Sequence, residues 1–318
     1  LLVRKLAVPA SVGTLFQTLY TIVDTFYAGK ISPEALSALS KSFPIYFLII
    51  ATSIGVTVSG TSLIGSSIGE KNEKNVLGYF GNVIIYSIII SVVVSILGFA
   101  FGEKIFLLMN SSQEVTILGL EYINIIFLGS VIFFLLVTSN AALTARGDTK
   151  SYRNVLIFSF FLNIFLNPLF IWGYGIIPAF GIAGLAIATV ISQLIGTIYL
   201  AYKVNNCKIK KYLKLVCFIP KFEYLNPLTR QSVPVMFSML FIGVGIFNIL
   251  YFIGQFGDLA TAGYGAALRV EQVFLLPVIG LNTAVLSIGG QNFGAKAFNR
   301  IRESLSYTHL TLPTSDLV

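Results

Sequence analysis

Long apolar runs separated by short polar segments set the pattern of this chain. Ser42–Gly69, Asn75–Gly102 and Tyr122–Ala145 contain no charged residue. Each exceeds the roughly 20 apolar residues that a helix needs to cross a bilayer. Asn154–Tyr202 is uncharged for 49 residues, too long for one helix. The glycines and proline of Gly173–Gly181 divide it in two. Gln231–Gly257 and Gln272–Ala295 add two more runs, and Leu6–Gly29 is interrupted by a single acid, Asp24. The pattern predicts eight membrane helices, near 6–29, 40–69, 75–101, 119–145, 153–173, 180–203, 229–254 and 262–292.

Composition agrees. The chain is 56% hydrophobic and 11% charged, with a mean hydropathy of +0.86. A soluble domain carries about 25% charged residues, so soluble enzyme folds are excluded. One His and two Cys cannot build a His/Cys metal cluster or a disulfide scaffold. Cys207 and Cys217 fall in one polar segment and read as free thiols.

The net charge of +8 reflects topology. Alternate loops hold seventeen Lys and Arg on one side and four (Lys30, Lys41, Lys104 and Arg269) on the other. The positive-inside rule places the richer side, with the N-terminus, in the cytoplasm. No nucleic-acid partner is needed to explain the charge. The first segment is too long for a cleavable signal peptide, and Asp24 interrupts it. The chain opens on Leu and is expected to lack its own start.

The sequence repeats itself at an offset of 225. Val8-Pro9 falls on Val233-Pro234, Gly29 on Gly254, and Gly55 on Gly280. Ser62, Gly65, Gly69 and Lys71 fall on Ser287, Gly290, Gly294 and Lys296. Both prolines are expected to start a helix, and the small residues to let backbones approach. Six helices precede the second copy, so both copies enter from the same side. Parallel repeats of this kind are one of the transporter plans. The expected organisation is a six-helix lobe over 1–204, a basic cytoplasmic linker over 205–228, and the start of a second lobe over 229–303. The last residues, 304–318, break the pattern and read as a non-native tail. The chain reads as a fragment of a transporter of about twelve helices.

The polar residues inside the spans carry the chemistry. A carboxylate at a helix centre costs about 2.5–3.5 kcal/mol on insertion scales. Asp24 shares a helical face with Gln17, Tyr20 and Thr21. It can exchange a proton or bind a cation. Ser159, Asn163 and Asn167 follow at spacings of four, and Pro168 frees the carbonyl near 164. Asn140 and Thr144, then Thr189 and Gln193, add further polar groups. Oxygen donors of this type suit hard cations or a proton relay. There is no Gly-x-x-x-x-Gly-Lys-[Ser/Thr] loop, so transport would draw on an ion gradient. An enzyme is not expected.

These residues resemble the MATE (multidrug and toxic compound extrusion) transporters. Val23-Asp-Thr-Phe-Tyr-Ala-Gly29 with Pro9, Gln17 and Tyr20 resembles the family's first helix. Ala142–Lys150, Asn163–Phe170, Gly181–Thr189 and Gly289–Gly294 resemble its later motifs. The resemblance covers about residues 4–303. It implies an all-α fold of two six-helix lobes, with the first complete here and two helices of the second present. It implies drug/cation antiport by alternating access in a bacterial-type inner membrane, by a monomer, on small organic cations. It also implies coupling at Asp24, Asn163, Asn167 and Thr189, and a cavity lined by Gln17, Tyr20 and Asn140. Many members have Asp where this chain has Asn167. Asp24 is then the lone acid of the cluster, which favours H⁺ over Na⁺ as coupling ion; a Na⁺ at Asp24 is the alternative. No other metal and no cofactor are expected. A lipid-linked polysaccharide flippase of the same superfamily is the rival reading, and it would call for basic residues in the cavity. Another is that the fragment by itself transports nothing.

Overall fold

The computed structural model describes residues 2–206, 219–274 and 276–311. These form eleven helices: α1 (Leu2–Ile31), α2 (Pro33–Gly69), α3 (Glu73–Leu108), α4 (Gln113–Leu128), α5 (Ser130–Ala145), α6 (Lys150–Trp172), α7 (Ile182–Asn206), α8 (Phe222–Gly254), α9 (Asp258–Phe274), α10 (Leu276–Gly294) and α11 (Phe298–Thr311). Six are long and apolar enough to cross a membrane, and α4 with α5 makes a seventh span bent by 50°. The protein is a multi-pass membrane protein.

Short polar residues set the helix starts. The Ser32 side chain accepts the Ala35 N–H at 3.0 Å, with Pro33 at the first helical position. Asn72 and Ser112 cap α3 and α4 in the same way. Each satisfies an N–H that the helix leaves free. Between α6 and α7, Gly173 has a φ of 73°, which suits glycine, and a Tyr174–Ile177 bridge closes the predicted turn.

The bend between α4 and α5 has a chemical support. The Ser95 hydroxyl on α3 donates to the Phe127 carbonyl at 2.8 Å and lies 2.7 Å from the Ser130 hydroxyl. Membrane helices break only where such groups re-satisfy the freed backbone. The expected span 119–145 is therefore a broken one.

The internal repeat is visible in space. A Cβ on Gly55 would meet the Ser232 carbonyl and Met236, and one on Gly280 would meet the Ala7 carbonyl and Ser11. Each of these contacts is the other shifted by 225. Likewise Gly69 lies against the Gln291 carbonyl, and Gly294 against the Ser66 carbonyl. Gly65 lies against its own equivalent, Gly290, with the Cα of Gly290 3.5 Å from an ideal Cβ on Gly65. Reciprocal contacts of this type are what a two-fold axis produces. Here the axis is internal to one chain and runs beside Gly65 and Gly290. Lys71 and Lys296, also equivalent, share a left-handed φ of 57°.

Several expectations are corrected. Pro9 and Pro234 lie inside α1 and α8 rather than at their starts. The carbonyls they free, at Lys5 and Arg230, belong to exposed residues. Helices α9 and α10 together cover the expected span 262–292, with residue 275 outside the described residues. Helix α8 begins at Phe222, inside the segment expected to be linker. Cys207, Cys217 and the lysines from 208 to 214 lie outside the described residues. Helix α11 runs without a break through 304, the expected boundary of the tail, to Thr311.

Candidate functional site

The site grows from two parallel helices. α1 and α6 run side by side in register: Thr149 bonds the Leu6 carbonyl, Phe16 packs on Phe160, and Tyr27 packs on Trp172. Gly13 permits the approach, since a Cβ there would stand 3.2 Å from the Arg153 Cα. In this register Asp24 faces Asn167.

Asp24 is 6% exposed, and Asn163 and Asn167 are fully buried. The Asn167 amide donates to Asp24 Oδ1 at 2.8 Å. It also donates to Asn163 Oδ1 at 3.0 Å, while Asn163 donates back to Asn167 Oδ1 at 3.2 Å. The two amides thus form a closed pair, and the second N–H of Asn167 meets the carboxylate. One turn back on α1, the buried Tyr20 hydroxyl donates to Thr189 Oγ1 on α7 at 3.0 Å. Three helices therefore contribute one carboxylate, two amides and two hydroxyls to one region. Buried polar groups of this kind persist only when paired. Ser159, one turn before Asn163, is also buried, and its hydroxyl has no hydrogen-bond partner.

The predicted residues divide. Asp24, Asn163 and Asn167 are brought into direct contact, and Thr189 is linked to α1 through Tyr20. Tyr20, expected to line the substrate cavity, is buried beside this cluster. Gln17 is exposed, so the predicted polar face of α1 separates into a buried part and an open part. Asn140 is half-buried on α5 and accepts from the Thr144 hydroxyl at 3.1 Å. The structure thus ties Asn140 to its own helix.

Two features escaped the sequence. The Tyr27 hydroxyl donates to the Ile164 carbonyl at 3.2 Å, the group freed by Pro168. Lys41, counted there as a loop charge, is fully buried in α2 and pairs with Asp258 at 2.8 Å. The expectation that Lys41 belongs to a loop is therefore corrected. The sequence pattern missed it because α2 starts at Pro33, so Lys41 already lies about two turns inside.

The family model described as MatE matches residues 9–169 and 234–316. The chain belongs to the MatE family. This MatE chain is 29% identical over 301 residues to the probable multidrug resistance protein YoeA of Bacillus subtilis, covering 93% of the chain and 65% of that relative. It is 26% identical over 302 residues to an FAD transporter of Shewanella oneidensis, covering 95% and 67%. A solved MOP-superfamily transporter from Pyrococcus furiosus superposes with a TM-score of 0.84 at 26% identity, covering 96% of this chain and 67% of that one. The solved MATE multidrug transporter DinF-BH shares the fold, with a TM-score of 0.87 and 24% identity over 96% and 68%. The MatE chain spans about two thirds of the length of the curated relatives it matches. The matched region ends at residue 316, so it includes part of the segment expected to be non-native.

Proposed function

We propose that the protein containing this chain is a secondary active exporter of amphipathic, cationic organic molecules, driven by ion antiport with alternating access. The observation that carries this reading is the buried Asp24–Asn167–Asn163 contact between α1 and α6. A carboxylate held in a membrane helix by neutral amides can trade a proton or a small cation, and intramembrane acids of this kind mark ion pathways. Family membership and the names of relatives such as YoeA support export of drugs. In this reading Asp24, Asn163, Asn167 and Thr189 form the coupling site. Gln17, Tyr20 and Asn140 serve the substrate cavity, with Gln17 on its open side.

The coupling ion proposed is H⁺. Asn167 is neutral, so Asp24 is the cluster's only carboxylate, and one proton neutralises it completely. Na⁺ would also balance the charge, but as an ion pair among neutral amides rather than as an uncharged carboxyl. The protein is proposed to act as a monomer in a bacterial-type inner membrane, with its N-terminus in the cytoplasm. The flippase reading gains nothing from Lys41, because that ammonium is already engaged by Asp258.

The test uses everted vesicles containing the full-length protein, given a proton gradient or a Na⁺ gradient. Uptake of a fluorescent cationic dye that collapses only with the proton gradient supports the reading. Uptake driven by Na⁺ alone overturns the choice of ion, and no uptake under either gradient overturns the proposed export.

A further inference from the structure

Among the contacts that join the first repeat to the second, two differ in kind. One is the seam of reciprocal glycine contacts between α2 and α10 and between their flanking helices. At its Gly69 end, the Ser287 hydroxyl donates to the Thr144 carbonyl and the Gln291 amide to the Ala145 carbonyl, both at 2.6 Å. The other contact lies toward the opposite end of α2, and it is ionic. Lys41 Nζ donates to Asp258 Oδ1 at 2.8 Å and to the Asn110 carbonyl at 3.3 Å. Ser37 donates to the same Asp258 oxygen at 3.2 Å. Helix α2, the turn after α3 and the first residue of α9 therefore meet at one ammonium.

This contact has no reciprocal. Shifted by 225, Lys41 becomes Ala266 and Asp258 becomes Pro33. The tie is thus an addition to the symmetric seam and lies outside it. Its two halves also differ in environment. The Lys41 side chain has no exposure, whereas 30% of the Asp258 side chain is open. Asp258 begins α9, where the helix dipole favours a carboxylate whether or not Lys41 is present. Water can therefore take over Asp258 if the α8–α9 turn moves away. Lys41 sits eight residues from the start of α2, about 12 Å at about 1.5 Å per residue, and its flexible stem can turn its head toward that end.

We propose that the Lys41–Asp258 pair is a breakable clasp that holds the α8–α9 turn against α2 and sets how often this end of the protein opens. The idea rests on the alternating-access reading above, but its test needs no transport. Spin labels go on two exposed positions, Gln113→Cys and Leu259→Cys, in the full-length protein with Cys207 and Cys217 replaced by Ser. Distances are measured by pulsed electron resonance. The wild-type pair is expected to give a dominant short distance. Asp258→Asn and Lys41→Met should each deplete that population at least threefold, and the double variant should deplete it no further, because the two residues act through one bond. If Asp258→Asn does not accumulate, the double variant strands no charge and is compared with wild type directly. Unchanged distances in the variants, or single effects that sum in the double variant, would overturn the clasp. A protein that exports no dye but shows these shifts would sink the export reading and leave the clasp standing.

Discussion

The Tyr27 hydroxyl is bonded to the Ile164 carbonyl, and Pro168 is the reason that carbonyl is available. A proline four residues on removes the helix's own N–H, and the tyrosine of a neighbouring helix replaces it. The contact lies on the same α1–α6 face as Asp24 and Asn167. Tyr27→Phe should therefore cost about 0.5–1.5 kcal/mol, the net worth of one hydrogen bond. A fall in detergent melting temperature would report it. A stability equal to wild type would mean that the carbonyl finds another donor.

Asp24 gives the sharpest functional prediction. Asp24→Asn keeps the shape of the side chain and removes the exchangeable charge. Gradient-driven dye efflux should fall at least tenfold, while the amount of protein in the membrane stays at the wild-type level. Efflux that survives the substitution places coupling elsewhere.

Asn167→Asp puts a second carboxylate against Asp24, at the position of a 2.8 Å hydrogen bond. Two like charges at that distance demand a shared proton or a cation between them. Dye uptake in vesicles should then become stimulated by Na⁺. A variant with the same ion dependence as wild type would argue that Asn167 does not choose the ion.

Gly69 tests the seam. A methyl group there would collide with the Gln291 carbonyl, which is backbone and cannot swing aside. Gly69→Ala should cost about 1–3 kcal/mol, as overpacking does. Gly245, near which a Cβ would meet nothing, is the control. Melting temperatures of the two alanine variants should separate clearly.

The clasp has a pH signature. Burial pushes the Asp258 carboxyl up, but the hydrogen bond and the charge of Lys41 outweigh it and hold the group below its ordinary value of 3.8. A carboxylate depressed on folding stabilises the fold above that ordinary value, and the contribution fades as pH falls through the lower, folded value. The melting-temperature gap between wild type and Asp258→Asn should be full at neutral pH and should narrow below 3.8. A gap that widens with acid would contradict the ion pair.

The sequence was most legible where one face must be apolar along its whole length. Uncharged runs located the spans, and the glycine and serine matches at an offset of 225 located contacts that prove to be reciprocal in space. The Asp24 cluster was legible too, because a carboxylate and two asparagines have no other reason to interrupt apolar helices. Lys41 was hidden because hydropathy treats a charge near a helix end as loop, and its partner lies 217 residues away. The break at Gly129 was hidden because the serine that supports it belongs to α3. Gln17 and Asn140 show the limit of a helical wheel. It groups residues on a face, but the neighbour packed there decides which part of the face is buried.

At Gly65 and Gly290 the two repeats meet with no side chain between them. Most helix pairs interlock through protruding side chains, and turning one against the other forces those chains past each other. Glycine against glycine offers no such teeth. The α2–α10 crossing can therefore roll on itself at little steric cost, while pulling it apart would sacrifice the bonds that Ser287 and Gln291 make beside it. Such a joint has the mechanics of a fulcrum, because it resists separation and tolerates tilt.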